Sequence, residues 1–276
     1  MSSEDLVLID VQDGVAVLTF NRPERLNAWT PELQTRYHDL LDECAGRADV
    51  RVVIVTGAGR GFCAGADMAV LSEVAGNGGG AAGAGGGAAR AGASASSADE
   101  RPIRHPLSIP KPVIAAINGP CAGIGLAMAL MCDIRFAAAD AKITTAFARR
   151  GLVAEHGLSW MLPRLVGPSA ALELLFSSRV VLGAEAATIG LVNRAFEPGE
   201  VLSESVAYAR ELARECSPAS LAAMKRQVYT ALELSLAEAV EEANRLMAES
   251  FARPDFAEGV QSFLERRPPH FAPLTG

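Results

Sequence analysis

Two apolar runs that each break into a glycine turn constrain this chain more than any other feature. Val52–Met68 reads VVIVTGAGRGFCAGADM, and Val113–Leu130 reads VIAAINGPCAGIGLAMAL. The β-branched run Val52–Thr56 enters a glycine loop and then an Ala-Gly-Ala-Asp turn. Val113–Ile117 stops in the same way. A strand that ends in a glycine turn and starts a helix leaves backbone N–H groups without acceptors. Two such turns meeting at one point can hold a negatively charged oxygen.

The segments around them alternate strand and helix. Val15–Phe20 (VAVLTF) predicts a strand closed by Asn-Arg-Pro. Thr30 is a predicted N-cap with Pro31 at the first helical position, for a helix running towards Cys44. A helix over about Gly125–Met131 and a strand over Ile134–Ala138 follow. Strands separated by helices suggest an α/β fold with a largely parallel, covered sheet. From Ser169 the pattern is helical: Ser169–Phe176, Ala184–Ile189, Val201–Glu215, Ser217–Tyr229 and Leu234–Phe251. The domain reading is an α/β core over 1–198 and a C-terminal helical region over 199–276.

Residues 76–97 differ. Nine of these 22 positions are glycine and eight are alanine. So little side chain cannot offset the entropy of ordering. The expectation is a flexible Gly/Ala-rich loop over 76–100, either a flap beside the site or an insertion without a role.

Composition excludes several classes. With 276 residues, half of them hydrophobic, one large core is affordable. No apolar run reaches the roughly 18 residues that span a membrane. The start MSSEDLVLID lacks a basic, signal-like region. The expectation is a cytoplasmic protein without a membrane partner. The formal charge of −7 argues against a nucleic-acid partner. The five cysteines lie far apart with no C-x-x-C pair, which argues against a disulfide framework or a metal site.

Taken together, the segments resemble the enoyl-CoA hydratase/isomerase (crotonase) superfamily. The matching stretches are NRPERLNAW (Asn21–Trp29), VVIVTGAGRGFCAGADM, KPVIAAINGPCAGIGLAMALMCDIRFAA (Lys111–Ala138), ATIGLVNRAF (Ala187–Phe196) and FARPDFAEGVQSFLERRPPHF (Phe251–Phe271). The resemblance implies a crotonase-like core of repeated ββα units with a C-terminal α-helical trimerisation region. It implies an acyl-CoA substrate, with coenzyme A as part of that substrate and no permanently bound cofactor, and a homotrimer or dimer of trimers. It assigns the two oxyanion N–H groups to Ala66 and Ile124. Losing one such donor typically costs about 10²–10³ in rate. Coenzyme A positions fall on Arg25, Leu26, Ala28, Ala64, Asp67 and Met68. Arg266 matches a basic residue that reaches a phosphate from the neighbouring subunit. The plainer readings are solvated arginines for Arg25 and Arg266, and a helix-capping carboxylate for Asp67.

The chain departs from the resemblance at two positions. The two glutamates of a typical hydratase fall on Ala127 and Phe147, and neither side chain carries a proton. One carboxylate remains nearby in RRGLVAEHGLSWMLPRL (Arg149–Leu165). Glu155 occupies a place where isomerases of the same superfamily hold an acid. It either serves as a single acid/base or caps the helix that starts near Gly157. His156 either tunes Glu155 or is an ordinary loop residue. Trp160 lines either the acyl pocket or the core, and Asp133 is read as satisfying buried backbone groups. Arg149 and Arg150 face either an anionic acyl group or solvent. The favoured activity is enoyl-CoA double-bond isomerisation. The alternatives are hydration through Glu155 and a bound water, and a catalytically degenerate acyl-CoA binder.

Overall fold

The structure is a computed structural model that describes residues 3–70, 72 and 101–274. The expected loop over 76–100 lies outside the described residues. The chain opens with a hairpin of β1 (Val7–Gln12) and β2 (Val15–Phe20), paired antiparallel with Gln12 opposite Val15. Asp13 and Gly14 form its turn with φ of 51° and 81°. Two left-handed residues match the twist of the flanking strands. Helix α1 (Pro31–Gly46) follows. Its N-cap Thr30 accepts a hydrogen bond from Leu33 N at 3.3 Å, and it buries Leu33, Tyr37, Leu40, Leu41 and Cys44.

After α1 come β3 (Val52–Gly57) and, beyond the undescribed stretch, β4 (Val113–Ile117), β5 (Cys121–Ala122), α2 (Ile124–Leu130), β6 (Ile134–Ala138) and β7 (Lys142–Thr144). Then come α3 (Leu158–Ser177), β8 (Val181–Leu182), α4 (Gly183–Thr188) and β9 (Arg194–Phe196). The main sheet runs β1-β2-β3-β4-β6-β9, and every pair except β1–β2 is parallel. A small sheet runs β5-β7-β8.

Both faces of the main sheet are covered. Val53, Val55, Val113, Ala115 and Ile117 join one apolar cluster, and Val52, Ile54, Ile114 and Ala116 join the other. This is why β3 and β4 read as unbroken apolar runs rather than as alternation. The second cluster is closed by Val201, Ala209 and Ala213 of α5 (Val201–Glu215). The boundary expected at 198/199 therefore falls just before a helix that packs on the sheet. Three more helices follow: α6 (Pro218–Ala231), α7 (Leu236–Phe251) and α8 (Pro254–Glu265).

Helix α6 is tied to the core through one carboxylate. Asp133 Oδ2 accepts from Val113 N at 2.7 Å and pairs with Lys225 Nζ at 2.8 Å, and Tyr229 Oη donates to Asp133 Oδ1 at 3.0 Å. The expected role of Asp133 beside buried backbone is met, with two partners from α6 that lie far along the chain.

The structure departs from the sequence reading at one long helix, at two elements near the chain ends and at the short strands β5, β7, β8 and β9, which the sequence pattern does not mark. The helix expected over Ser169–Phe176 is the second half of α3, which breaks at Gly167 (φ 76°, ψ 159°) in front of Pro168. The reading misses β1, whose even-numbered residues are exposed. It also misses α8, which starts at Pro254 in its first turn.

Candidate active site

The two glycine turns are packed against each other. Phe62 N and Cys63 N both donate to Pro120 O at 3.1 Å, and Ala122 N donates back to Cys63 O at 3.0 Å. Glycine is required where the turns touch. A Cβ on Gly65 (φ +109°) would stand 3.3 Å from Ala122 O, and a Cβ on Gly125 would stand 2.4 Å from Cys63 O. Ile124 is the first residue of α2, and the helix's first internal bond runs from Ala127 N to Gly123 O. The Ile124 N–H thus has no acceptor within its own helix. Ala66 bridges Trp29 in parallel, with Trp29 N on Gly65 O at 2.8 Å and Asp67 N on Trp29 O at 3.0 Å. In that pattern the N–H of Ala66 itself points away from Trp29. The structure thus brings the turns of Ala66 and Ile124 together, each with an outward amide.

Most of the residues assigned to coenzyme A gather beside the first turn. Ala64 N donates to Leu26 O at 3.0 Å. Arg22 Nη1 donates to Ala28 O at 2.5 Å, and Arg22 Nη2 pairs with Asp67 at 2.9 Å. The Arg22 guanidinium holds the Asp67 carboxyl below the usual carboxylate range. Asp67 Oδ1 also accepts from Ala69 N at 3.1 Å, the capping role of the plainer reading. Arg25 and Met68 are exposed at the rim. Arg266 ends α8 in a left-handed conformation (φ 53°) and is exposed; the cluster is built without it.

Sequence reasoning passes over the residues that hold this cluster. Asn27 is fully buried in a left-handed conformation (φ 56°). Its Oδ1 accepts from Arg22 N at 2.8 Å, and its Nδ2 donates to Ala58 O at 3.0 Å and Gly61 O at 2.7 Å. Asn118 Nδ2 donates to Gly57 O at 2.8 Å and Gly59 O at 3.0 Å. The Asn-Gly-Pro run is a local signal for Asn118, whereas Asn27, between Leu26 and Ala28, carries none.

Ala127 is fully buried and Phe147 nearly so. The Glu155 side chain is 28% exposed. It does not cap α3: the N-cap is Gly157 (φ 79°) with no side-chain bond, and it is the Glu155 carbonyl that accepts from Leu158 N at 3.0 Å. The loop rests on the end of α2, where a Cβ on Gly157 would meet Met131 Cε at 3.2 Å. His156 Nε2 lies 3.7 Å from Glu155 Oε2. Burial holds the imidazole below its ordinary value, against an upward pull from Glu155.

Trp160 packs against the core, with the Arg164 guanidinium 3.9 Å from its ring centroid. Arg149 and Arg150 are exposed and donate to Ser177 O and Ala146 O. Cys63 and Cys132 are buried thiols pushed up to about 12 by desolvation, so neither is a thiolate near neutral pH. Among the described residues no helix is long and apolar enough to cross a membrane.

This arrangement has close parallels. The chain is 35% identical to a probable enoyl-CoA hydratase of Rhodobacter capsulatus over 95% of its own length and 96% of that protein's. It is 31% identical to the 1,2-epoxyphenylacetyl-CoA isomerase of Escherichia coli K12, covering 97% of this chain and 98% of that one. A crystal structure of a putative enoyl-CoA hydratase/isomerase family protein from Hyphomonas neptunium superposes with a TM-score of 0.86 at 30% identity, covering 99% of this chain and all of that one. The family described as enoyl-CoA hydratase/isomerase matches residues 10–273. The paired glycine turns on an α/β core with C-terminal helices and the match along nearly the whole chain agree: this protein belongs to the enoyl-CoA hydratase/isomerase family.

Proposed function

We propose that this enzyme forms the enolate of a coenzyme A thioester between the N–H groups of Ala66 and Ile124, with Glu155 as its single acid/base. The favoured reaction is double-bond isomerisation of an enoyl-CoA. Glu155 takes a proton from C2 of a 3-enoyl thioester, and the C–H electrons pass into a dienolate whose oxygen lies between the two amides. The proton then returns at C4, leaving the 2-enoyl isomer. Backbone amides suit the task because they are fixed before the charge develops. Arg25, Leu26, Ala28, Ala64, Asp67 and Met68 are the coenzyme A contacts, with Arg266 reaching in from a neighbouring subunit.

One observation carries this reading. The positions of a hydratase glutamate pair hold Ala127 and Phe147, while a half-buried carboxylate that caps no helix stands in the loop at the end of α2. The names of relatives favour a second reading, since the Rhodobacter capsulatus protein is called a probable enoyl-CoA hydratase. In that reading Glu155 acts through a bound water. Mass spectrometry of incubations with 3-enoyl-CoA and 2-enoyl-CoA separates the two, because isomerisation keeps the mass and hydration adds one water. Glu155→Gln is expected to abolish exchange of the C2 proton and leave thioester affinity nearly intact. Wild-type exchange in that variant excludes Glu155 as the base. Thioester binding without turnover on any ester tested would point instead to the degenerate binder.

The proposal includes a homotrimer or a dimer of trimers. The support is apolar surface on the last helices, where Met224, Val228, Val240, Met247, Phe263 and Leu264 are exposed. Five free cysteines accord with a reducing, cytoplasmic setting.

A further inference from the structure

The loop that carries Glu155 holds a second proton-binding group, and its backbone is drawn into an uncommon region. His156 adopts φ 54°, beside Gly157 at 79°. A non-glycine residue keeps that conformation where its surroundings fix it, and such positions concentrate at functional sites. The Leu158 N–H donates to Glu155 O at 3.0 Å and closes this two-residue turn, and α3 starts without a side-chain cap. The turn delivers the imidazole to the carboxylate next to it: Nε2 lies 3.7 Å from Glu155 Oε2, with the two side chains 20% and 28% exposed.

We propose that His156 is a positioning residue for Glu155, its Nε2–H holding one carboxylate oxygen while the other stays free to take the substrate proton. The proposal rests on Glu155 being the base and takes the tautomer protonated at Nε2. The present separation is long for a hydrogen bond. Such contacts are often loose in unliganded enzymes and tighten when substrate binds. With Ala127 and Phe147 at the family's glutamate positions, no carboxylate there orients Glu155.

The surroundings leave the pair to itself. Arg149 donates to Ser177 O at 3.2 Å and Arg150 to Ala146 O at 3.0 Å. Arg164 lies over Trp160 and donates to its carbonyl at 2.8 Å. Helix α2 presents the uncharged Met131. Among the described residues, Glu155 is the charge that acts on the His156 ring. Burial keeps that ring neutral near neutral pH, so it donates without cancelling the carboxylate's charge.

The test follows C2–H exchange of a saturated acyl-CoA in deuterated buffer across pH, for the wild type, His156→Asn, His156→Gln and Glu155→Gln. Asparagine accepts the left-handed backbone but is too short to reach. Glutamine places an amide donor near the original Nε2. His156→Asn is expected to slow exchange about tenfold, because the base is no longer held in one orientation. Its acid limb should move to higher pH, because a carboxylate that loses a donor binds its proton more tightly. His156→Gln should recover most of the rate. A wild-type rate and acid limb in His156→Asn overturns the proposal, and so does a loss that His156→Gln fails to recover. Failure of the underlying base assignment is read separately, as undiminished exchange in Glu155→Gln.

Discussion

At the scale of single residues, a hydrogen atom in place of a methyl group decides whether the two glycine turns can meet. A Cβ on Gly125 would stand 2.4 Å from Cys63 O and 2.9 Å from Cys63 Sγ, both within the fully buried contact between the turns. Gly125→Ala must therefore push the turns apart. Exchange of the C2 proton is expected to fall by about 10²–10³, the cost of one misplaced donor. An alanine variant that exchanges at the wild-type rate would mean that the contact does not set the amides. Asn27→Ala leaves two carbonyls and one N–H without their buried partner, so a stability loss of about 2–4 kcal/mol is expected in urea denaturation. The glycine turns are legible in sequence because glycines that follow an apolar strand are a local signal, although the atoms that would meet a Cβ at Gly65 and Gly125 belong to the other turn. The task of Asn27 is not, because its partners Ala58 and Gly61 lie far along the chain. The Asp67 cap is readable from its place before a helix, but its ion pair with Arg22 is a tertiary contact.

At the scale of elements, local chemistry marks the boundaries better than the sequence reading exploits it. Asp13-Gly14 between VLIDVQ and VAVLTF is a strong hairpin signal, and it accounts for β1. Pro254 followed by Phe256, Val260, Phe263 and Leu264 is the spacing of α8. The docking of α6 on Asp133 has no such signature, since Lys225 and Tyr229 look like ordinary helix residues. Lys225→Met leaves the partly buried Asp133 carboxylate with Val113 N and Tyr229 Oη as its remaining donors, and a loss of about 1.5–3 kcal/mol in unfolding free energy is expected. A loss confined to a few tenths would mean that Asp133 is well solvated.

The C-terminal tail is fastened differently. Arg267 and the His270 N–H hold the Glu258 carboxyl down to about 2, and Arg51 Nη2 reaches Phe271 O at 2.8 Å. A carboxyl lowered by folding stabilises above its unfolded value, about 4.3, and that support is lost as pH falls towards 2. Limited proteolysis of the tail should therefore rise through that window. Glu258→Gln should be cleaved equally at all pH values there, and a wild-type acid response in that variant would assign the fastening to another group.

At the scale of the molecule, the described chain leaves apolar surface uncovered. Helices α6–α8 expose Met224, Val228, Leu236, Val240, Met247, Phe251, Phe256, Val260, Phe263 and Leu264. A groove of about 400 Å³ between α6 and α7 is lined by Met224, Val228, Ala231 and Leu234. Exposed apolar side chains in this number on successive helices are a common mark of a surface that is covered in an assembly. Sedimentation velocity is expected to give a trimer or its dimer, and Phe263→Glu with Leu264→Glu to shift the distribution towards monomer. A wild-type chain that sediments as a monomer would leave these faces unexplained. Composition anticipates the large core, yet it is silent on this face, because exposed and buried leucines look alike in a sequence. The pair of tryptophans has a practical consequence at this scale. Trp29 is sealed beside the first amide turn, and Trp160 lies beneath Arg164 in the first turn of the helix after Glu155. The unlabelled protein thus carries one fluorophore beside the amide turns and another beyond Glu155, and a Trp160→Phe variant would let emission report ligand arrival from the amide side alone.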